Sequence, residues 1–348
     1  MAQVIVVGAG IAGCLAAAEL RSGGHDVVVL DKGFAPGGRL AARTIGPATF
    51  DVGAQFLTAK SPAFTALVDA WAAEGVVRTW FHGSPDHGAP PDPNGHPRLR
   101  GTPTMRRIVE HLASDLDVRL GTIVGAVTPH RGRWRVHVVP RPAGSSSHPS
   151  WPPSTADQRT LEADAVLLTS PLPQARTLLE AGGTRLAPEV TERLQAATYD
   201  PCLTALAVPA GPTGLPPHGA LRLDGGPVAW ISDHLRSGAS ATPAVTVHAE
   251  AGYSRDRFAA PGDTVAAELM SAARSLLGTD AEVVHLHRWR FATPTAQLGD
   301  EPLFDRVAGA PIAMAGDALE GGRVEGAAVS GLETAAVMNA ALAEGHGG

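Results

Sequence analysis

Three glycines, Gly8, Gly10 and Gly13, follow the apolar run AQVIVV and precede a helix-forming run, CLAAAELRS. In a phosphate-binding turn each has its own purpose. The first permits the tight turn, the second lets backbone approach a pyrophosphate, and the third lets the helix pack on the strand. The helix start offers free N–H groups and a partial positive charge. Asp31 lies eighteen residues after Gly13, at the end of a second apolar run, HDVVVLD. There it can accept hydrogen bonds from ribose hydroxyls, and its charge repels the extra phosphate of NADP. Strand, turn, helix, strand and terminal acid are in register, which a tight turn alone does not require.

A second glycine junction stands at the other end of the chain. Residues 314–331 read MAGDALEGGRVEGAAVSG. A strand delivers Gly316 and Asp317, and Val324, Glu325, Gly326 and Ala327 open a helix. A dinucleotide as long as FAD cannot be held by one turn, because its ribityl chain and flavin extend beyond the first β-α-β unit. Asp317 can accept a ribityl hydroxyl. The helix N-terminus would face the flavin pyrimidine edge, where negative charge builds up on reduction. Gly37-Gly38-Arg39 adds a turn with a guanidinium able to donate twice to a pyrophosphate or ring; a solvated surface arginine is the alternative. The C-terminal segment must therefore fold back beside the N-terminal one.

The elements between them follow from pattern. Residues 62–77 are expected to be helical, and TPTMRRIVEHLAS is a helix with threonine at its start. Residues 83–101 read as a Pro/Gly-rich loop. VRLGTIVGAV and RWRVHVVP alternate like antiparallel strands. Residues 140–158, PRPAGSSSHPSWPPSTADQ, are low-complexity loop. LEADAVLLTSP is a strand and PLPQARTLLE a helix. Residues 185–295 mix short strands and helices, with AVTVHAE and VVHLHRWRF strand-like and FAAPGDTVAAELMSAARSLLG helical. No fixed-period repeat is visible. The expected fold is α/β: a Rossmann-like FAD-binding domain over 1–57, 102–170 and 296–348, and a mixed α+β substrate domain over 58–101 and 171–295.

Composition narrows the function. The chain has 348 residues, 44% hydrophobic, with net charge −6. A nucleic-acid partner would call for a basic excess or stripe. The abundance of Arg, Ala, Gly and Pro reads as genomic GC bias. Cys14 and Cys202 have no metal or redox spacing, and Cys14 sits in an apolar helix pattern as a small core residue. The opening residues lack a basic signal-peptide region, and no apolar stretch reaches the ~18 residues of a membrane span. A cytoplasmic protein without membrane or evident protein partner is expected.

GAGIAGCLAAAEL, DKGFAPGGRLAAR, FDVGAQFLTAK, HRWRFATP and AGDALEGGRVEGAAVSG, in that order, resemble the renalase-like branch of the flavin amine oxidase superfamily. The resemblance covers most of the chain, and GGRLAAR, FDVGAQF and RWRFA are its more specific parts. It implies noncovalent FAD, a two-domain fold and a substrate cavity over the flavin. It also implies hydride removal from 2- and 6-dihydronicotinamide isomers, restoring NAD(P)+, with oxygen as acceptor and hydrogen peroxide as product. By motif, Gly8, Gly10, Ile11, Ala12, Gly13, Asp31, Lys32, Gly38, Arg39, Gly316, Asp317, Val324, Glu325 and Ala327 match cofactor positions. Gln55 and Phe56 match the stretch approaching the flavin, and Val124 the position whose backbone reads the adenine. His248 and Trp289 match residues lining the substrate cavity. Two stretches depart from the pattern. AGYS puts Tyr253 in a tryptophan place, and SDHLRSGAS replaces a lysine-proline-glycine run.

These residues also have ordinary readings. Hydride loss from a dihydropyridine restores aromaticity and needs a flat, stacked ring, not a strong base. Trp289 serves equally as wall or half-buried strand residue. His248 is expected to bond a carboxamide, to sense charge, or to be a satisfied core histidine. Phe50, Phe56 and Trp230 read as core, Glu325 as a helix cap, and His285 with His287 as structural for want of a third metal ligand. No GxSxG nucleophile turn occurs. The rivals are an FAD oxidoreductase on an amine or biosynthetic intermediate, and a non-catalytic flavin binder.

Overall fold

The computed structural model describes residues 1–87, 89, 92–141, 159–299 and 301–344. Most of the expected loop at 140–158 therefore lies outside the described residues. The chain forms two compact units, one of Met1–Gly38, Val109–Thr198 and Ala296–Gly348, the other of Arg39–Ile108 and Tyr199–Thr295. These boundaries differ from the expected ones at three places, and residues 102–108 are one of them, since they belong to the second unit. Residues 39–57 belong to the second unit, because the hairpin of Ala42–Ile45 with Ala48–Asp51 packs into its core. Residues 171–198 belong to the first. There Thr184 donates to the Val127 carbonyl at 2.5 Å, and Asp305 accepts from the Ala187 N–H at 2.6 Å.

The first unit is built on a six-stranded sheet. Its order is Leu303–Val307, Ala310–Met314, Ala165–Leu168, Gln3–Val7, Asp26–Leu30, Asp117–Arg119. All neighbours are parallel except the first pair. Continuous apolar runs such as VIVV and AVLL suit strands covered on both faces. Helix Ile11–Ser22 follows the first strand, and the long helix Arg323–Glu344 packs against it. A Cβ on Gly331 would stand 2.4 Å from the Ala12 carbonyl oxygen, so this close helix contact requires glycine. The two ends of the chain thus meet, as the second glycine junction demands. Cys14 is buried and free, its thiol pushed up by burial.

VRLGTIVGAV is not one strand. Asp117–Arg119 joins the large sheet, and Thr122–His130 pairs antiparallel with Arg133–Pro140 in a separate three-stranded sheet. Gly121, at φ +63°, turns the chain between them.

The second unit holds a five-stranded antiparallel sheet, ordered Ala220–Arg222, Val228–Asp233, Val245–Ala249, Tyr199–Pro209, Ala281–Pro294. Strand period two divides its side chains. Leu221, Ile231, Val247, Ala205 and Leu286 form one row across it. This row packs with Val265, Leu269, Ala273 and Leu277 of helix Gly262–Leu277. The alternate row is Arg222, Trp230, His248, Thr204 and His287, followed by Ala220, Ser232, Thr246, Leu206 and His285. One face is therefore apolar core, the other polar and aromatic.

Smaller differences have local causes. The helix expected over 62–77 is Pro62–Ala73, capped by Ser61, and Val77 already starts a strand. Pro97–Gly101, inside the expected loop, is that strand's antiparallel partner. The helix expected from Thr102 begins at Arg106. Among the described residues, no helix is long and apolar enough to cross a membrane.

Candidate functional site

In the first unit the glycine turn forms a phosphate cradle. Gly10 is the N-cap of helix Ile11–Ser22, whose first turn carries no acid. Its N-terminal N–H groups and dipole are free for an anion. A Cβ on Gly13 would lie 2.0 Å from the Gly8 carbonyl oxygen, whereas one on Gly10 would meet nothing within 4 Å. Gly13 is thus a packing residue, and Gly10 faces open space. Ile11 and Ala12 are buried behind the turn. Gly37 donates to the Ala9 carbonyl at 2.8 Å, docking the Gly37-Gly38 turn on the cradle.

Asp31 does more than wait for a ribose. One carboxylate oxygen accepts from the Ala9 N–H at 2.7 Å and the other from the Gly33 N–H at 2.6 Å. Each oxygen keeps a further lone pair for a hydroxyl. Asp31→Ala is therefore expected to weaken FAD binding by roughly 1.5–3 kcal/mol and to loosen the cradle itself as well. Flavin retained on gel filtration, with apo-protein denaturation alongside, checks both; unchanged flavin occupancy refutes the assignment. The ammonium of neighbouring Lys32 is pushed down by burial, partly offset by Asp31. Val124 is buried on Thr122–His130, where a β-bulge leaves Gly125 without a partner.

The second junction lies in the same unit. The Gly316 N–H donates to Ser330 Oγ at 3.1 Å, tying the strand end to the long helix. Asp317 is 4% exposed, and its carbonyl accepts from the Gly322 N–H at 3.0 Å. The helix begins at Arg323, so Val324 and Glu325 lie in its first turn and Ala327 directly after it. Open space at Gly10, two helix N-termini and two carboxylates fit a dinucleotide. Gly8, Gly10, Gly13, Asp31, Gly38, Asp317 and the start of the long helix are the groups that would hold it.

Arg39, Gln55, Phe56, His248 and Trp289 all belong to the second unit. Arg39 is half-buried, donates to the Ala292 carbonyl at 3.1 Å and lies over the Tyr199 ring. Gln55 is buried. Its amide donates to the Asp51 and Gly53 carbonyls and its oxygen accepts from Ser232 Oγ. Phe56 is half-buried, its ring centroid 5.4 Å from that of Trp230.

His248 and Trp289 converge on one atom. Each donates to the Val52 carbonyl at 3.2 Å. That bond fixes the imidazole proton on Nε2. Burial lowers the His248 pKa to about 4, so the ring is neutral at physiological pH. His285 and His287 lie with ring centroids 6.0 Å apart, and no metal-holding group of three occurs among the described residues.

Sequence reasoning missed what holds this loop. Arg100, 1% exposed, donates to the Asp51 carboxylate at 2.6 Å, and the Met105 N–H donates to its other oxygen at 2.9 Å. Burial raises the Asp51 carboxyl to about 6 against the pull of Arg100, leaving it ionised at neutral pH. The departing stretches prove structural. Tyr253 packs on the apolar side of the sheet and donates to Glu268 at 2.6 Å. Asp233 caps helix His234–Ser237 and accepts from Thr213.

The Rossmann-type dinucleotide cradle of the first unit and the family matches below define an FAD-dependent oxidoreductase. The family model for NAD(P)-binding Rossmann-like domains matches residues 6–71, and that for flavin-containing amine oxidoreductases matches residues 91–339. The chain belongs to the flavin-containing amine oxidoreductase family. Its fold is similar to that of a proposed protoporphyrinogen oxidase from Exiguobacterium sp. 255-15, at 14% identity and TM-score 0.69 over 97% of this chain and 98% of that one. It is similar also to putrescine oxidase bound to putrescine, at 14% identity and TM-score 0.66 over 97% and 99%. An oxidoreductase from Methanosarcina mazei matches at 14% identity and TM-score 0.65 over the same shares.

Proposed function

We propose that the protein is a renalase-like oxidase. It takes a hydride from the 2- or 6-dihydro isomers of NAD(P) and passes the electrons to oxygen, giving NAD(P)+ and hydrogen peroxide. The substrate loses two electrons and one proton together as hydride. Oxygen gains two electrons and two protons, the second proton coming from water. Bound noncovalently, FAD supplies the two-electron acceptor chemistry. The protein's own residues orient the ring and exclude water.

The observation that carries this reading is the charge state of the polar sheet face around His248. His248 is neutral and fixed by the Val52 carbonyl, and its neighbours Thr204, Thr246, Ser232, Trp230 and Trp289 are uncharged. Such a surface suits a reaction that needs a flat ring held still and no strong base. The rival reading, oxidation of an amine, draws on the rings of Phe56, Trp80 and Trp230. Yet Arg98 already stands 5.5 Å from the Phe56 centroid and Arg100 5.3 Å from that of Trp80. A cationic amine seeking those π faces would meet positive charge.

The test is anaerobic mixing of the yellow protein with 2-, 4- and 6-dihydronicotinamides and with putrescine, following flavin absorbance. Bleaching by the 2- or 6-isomers alone supports the proposal; bleaching by putrescine alone replaces it with the amine reading.

A pH prediction follows from the same histidine. Its ordinary pKa of 6.5 falls to about 4 in the folded protein. Between these values the unfolded chain binds the proton and the folded one does not. The contribution is thus full above pH 6.5 and lost as pH falls toward 4. His248→Gln is expected to flatten this acid limb of stability, measured by urea unfolding from pH 4 to 7. An unchanged limb contradicts it.

A further inference from the structure

The indole nitrogen of Trp230 is buried and has no hydrogen-bond partner among the described residues. Trp230 is 8% exposed. The rings around it are Phe56, with centroid at 5.4 Å, and Trp80, at 6.4 Å. These offer only π faces, which are second-order acceptors. Buried N–H groups are as a rule bonded, so this donor, unmet by the described residues, is available to a ligand.

Its cross-strand partner is His248. Directly paired residues project from the same face, with Cβ atoms about 4.5–5.5 Å apart. His248 spends its only proton on the Val52 carbonyl, which leaves Nδ1 as a bare acceptor. That nitrogen has no partner among the described residues either. A register shift between Val228 and Trp230 marks a bulge immediately before the tryptophan. Bulges of this kind re-aim a side chain beside a site.

We infer that Trp230 Nε1 and His248 Nδ1 form a donor–acceptor pair that reads a planar primary carboxamide. The indole N–H donates to the carboxamide oxygen, and the carboxamide NH2 donates to the imidazole nitrogen. Other groups satisfy only half of the pair. A carboxylate accepts from the indole but turns negative charge on the imidazole lone pair. An ammonium donates to the imidazole but faces the indole N–H with another donor. Sites built around such bonds reject analogues that lack one of them. The inference deepens the proposed function and rests on it only for the ring that bears the amide.

The test uses the oxidised holoenzyme and two neutral probes, nicotinamide and 3-acetylpyridine, by calorimetric titration. The ketone keeps the carbonyl and lacks the NH2. Wild type is expected to bind nicotinamide about tenfold more tightly, one hydrogen bond's worth. Trp230→Phe, which keeps a ring in place, is expected to weaken both probes about tenfold with flavin content unchanged. Equal binding of the two probes by wild type, which needs no variant, overturns the pair. So does nicotinamide affinity untouched in Trp230→Phe, or no nicotinamide binding at all. If dihydronicotinamides fail to bleach the flavin while Trp230→Phe still weakens nicotinamide, the pair stands and the reaction falls. Bleaching without dependence on Trp230 does the reverse.

Discussion

Arg100→Met is expected to destabilise the protein by about 3–5 kcal/mol, because it leaves the Asp51 carboxylate buried without its counter-ion. Asp51 and Arg100 are each 1% exposed in their side chains and meet at 2.6 Å. Only the Met105 N–H would still serve the carboxylate. The carboxyl, already raised from 3.8 to about 6, would move further up. Where the folded pKa lies above the unfolded one, the folded state holds a proton that the unfolded chain has released. Stability from that group is then full at low pH and is lost as pH rises through the folded value. The variant should therefore be relatively stronger at pH 5 than at pH 7, the opposite trend to that of His248. Replacing both partners, Asp51→Leu with Arg100→Met, should recover most of the loss, since no charge is left unpaired. Urea unfolding of the single and the double variant at both pH values checks this. A single variant that costs under about 1 kcal/mol would show that the pair is not what secures the loop.

The consequence reaches the candidate site through the backbone. The Asp51 carbonyl accepts from Gln55 and Thr246, and the Val52 carbonyl from His248 and Trp289. The Ala54 N–H donates to the Arg39 carbonyl. The segment FDVGAQF is thus the common attachment point of the polar sheet face, and the buried ion pair secures its second residue, Asp51. His248 and Trp289 consequently act on this loop whatever else they touch.

How much of this could be read beforehand depends on distance along the chain. The phosphate cradle is local, so its glycines, helix start and Asp31 stand together in the first thirty-one residues. The alternation in AVTVHAE puts Thr246 and His248 on one face and Val245 and Val247 on the other, and the sheet keeps that division. The Asp51–Arg100 pair was not legible. Its members lie 49 residues apart, and Arg100 sits in a segment whose Pro and Gly content disguises a strand. A backbone acceptor such as the Val52 carbonyl leaves no side-chain signature at all. Trp230 reads as core by burial and departs from it only through an unpartnered nitrogen, which only atomic packing reveals. Asp31 was placed correctly in the chain, but its bonds to Ala9 and Gly33 depend on a turn geometry that composition does not specify.

The cradle gives the second large effect, as a contrast between two alanines three positions apart. Gly10 has φ −89° and ψ −176°, an extended conformation open to any residue, and a Cβ there meets nothing within 4 Å. Gly10→Ala should fold as well as wild type, with stability within about 0.5 kcal/mol. The methyl would occupy the space through which backbone approaches the pyrophosphate, so FAD affinity should fall at least about tenfold. At Gly13 a Cβ would stand 2.0 Å from the Gly8 carbonyl oxygen and 2.8 Å from Thr169 Oγ1. Backbone must move to admit it, and Gly13→Ala should lose stability in the apo form and flavin with it. Apo-protein denaturation and FAD titration separate the cases. If Gly10→Ala retained flavin at wild-type affinity, the open space at the helix start would not be where the pyrophosphate goes. If Gly13→Ala lost flavin with apo stability intact, that glycine would belong to the ligand and not to the packing of helix on strand.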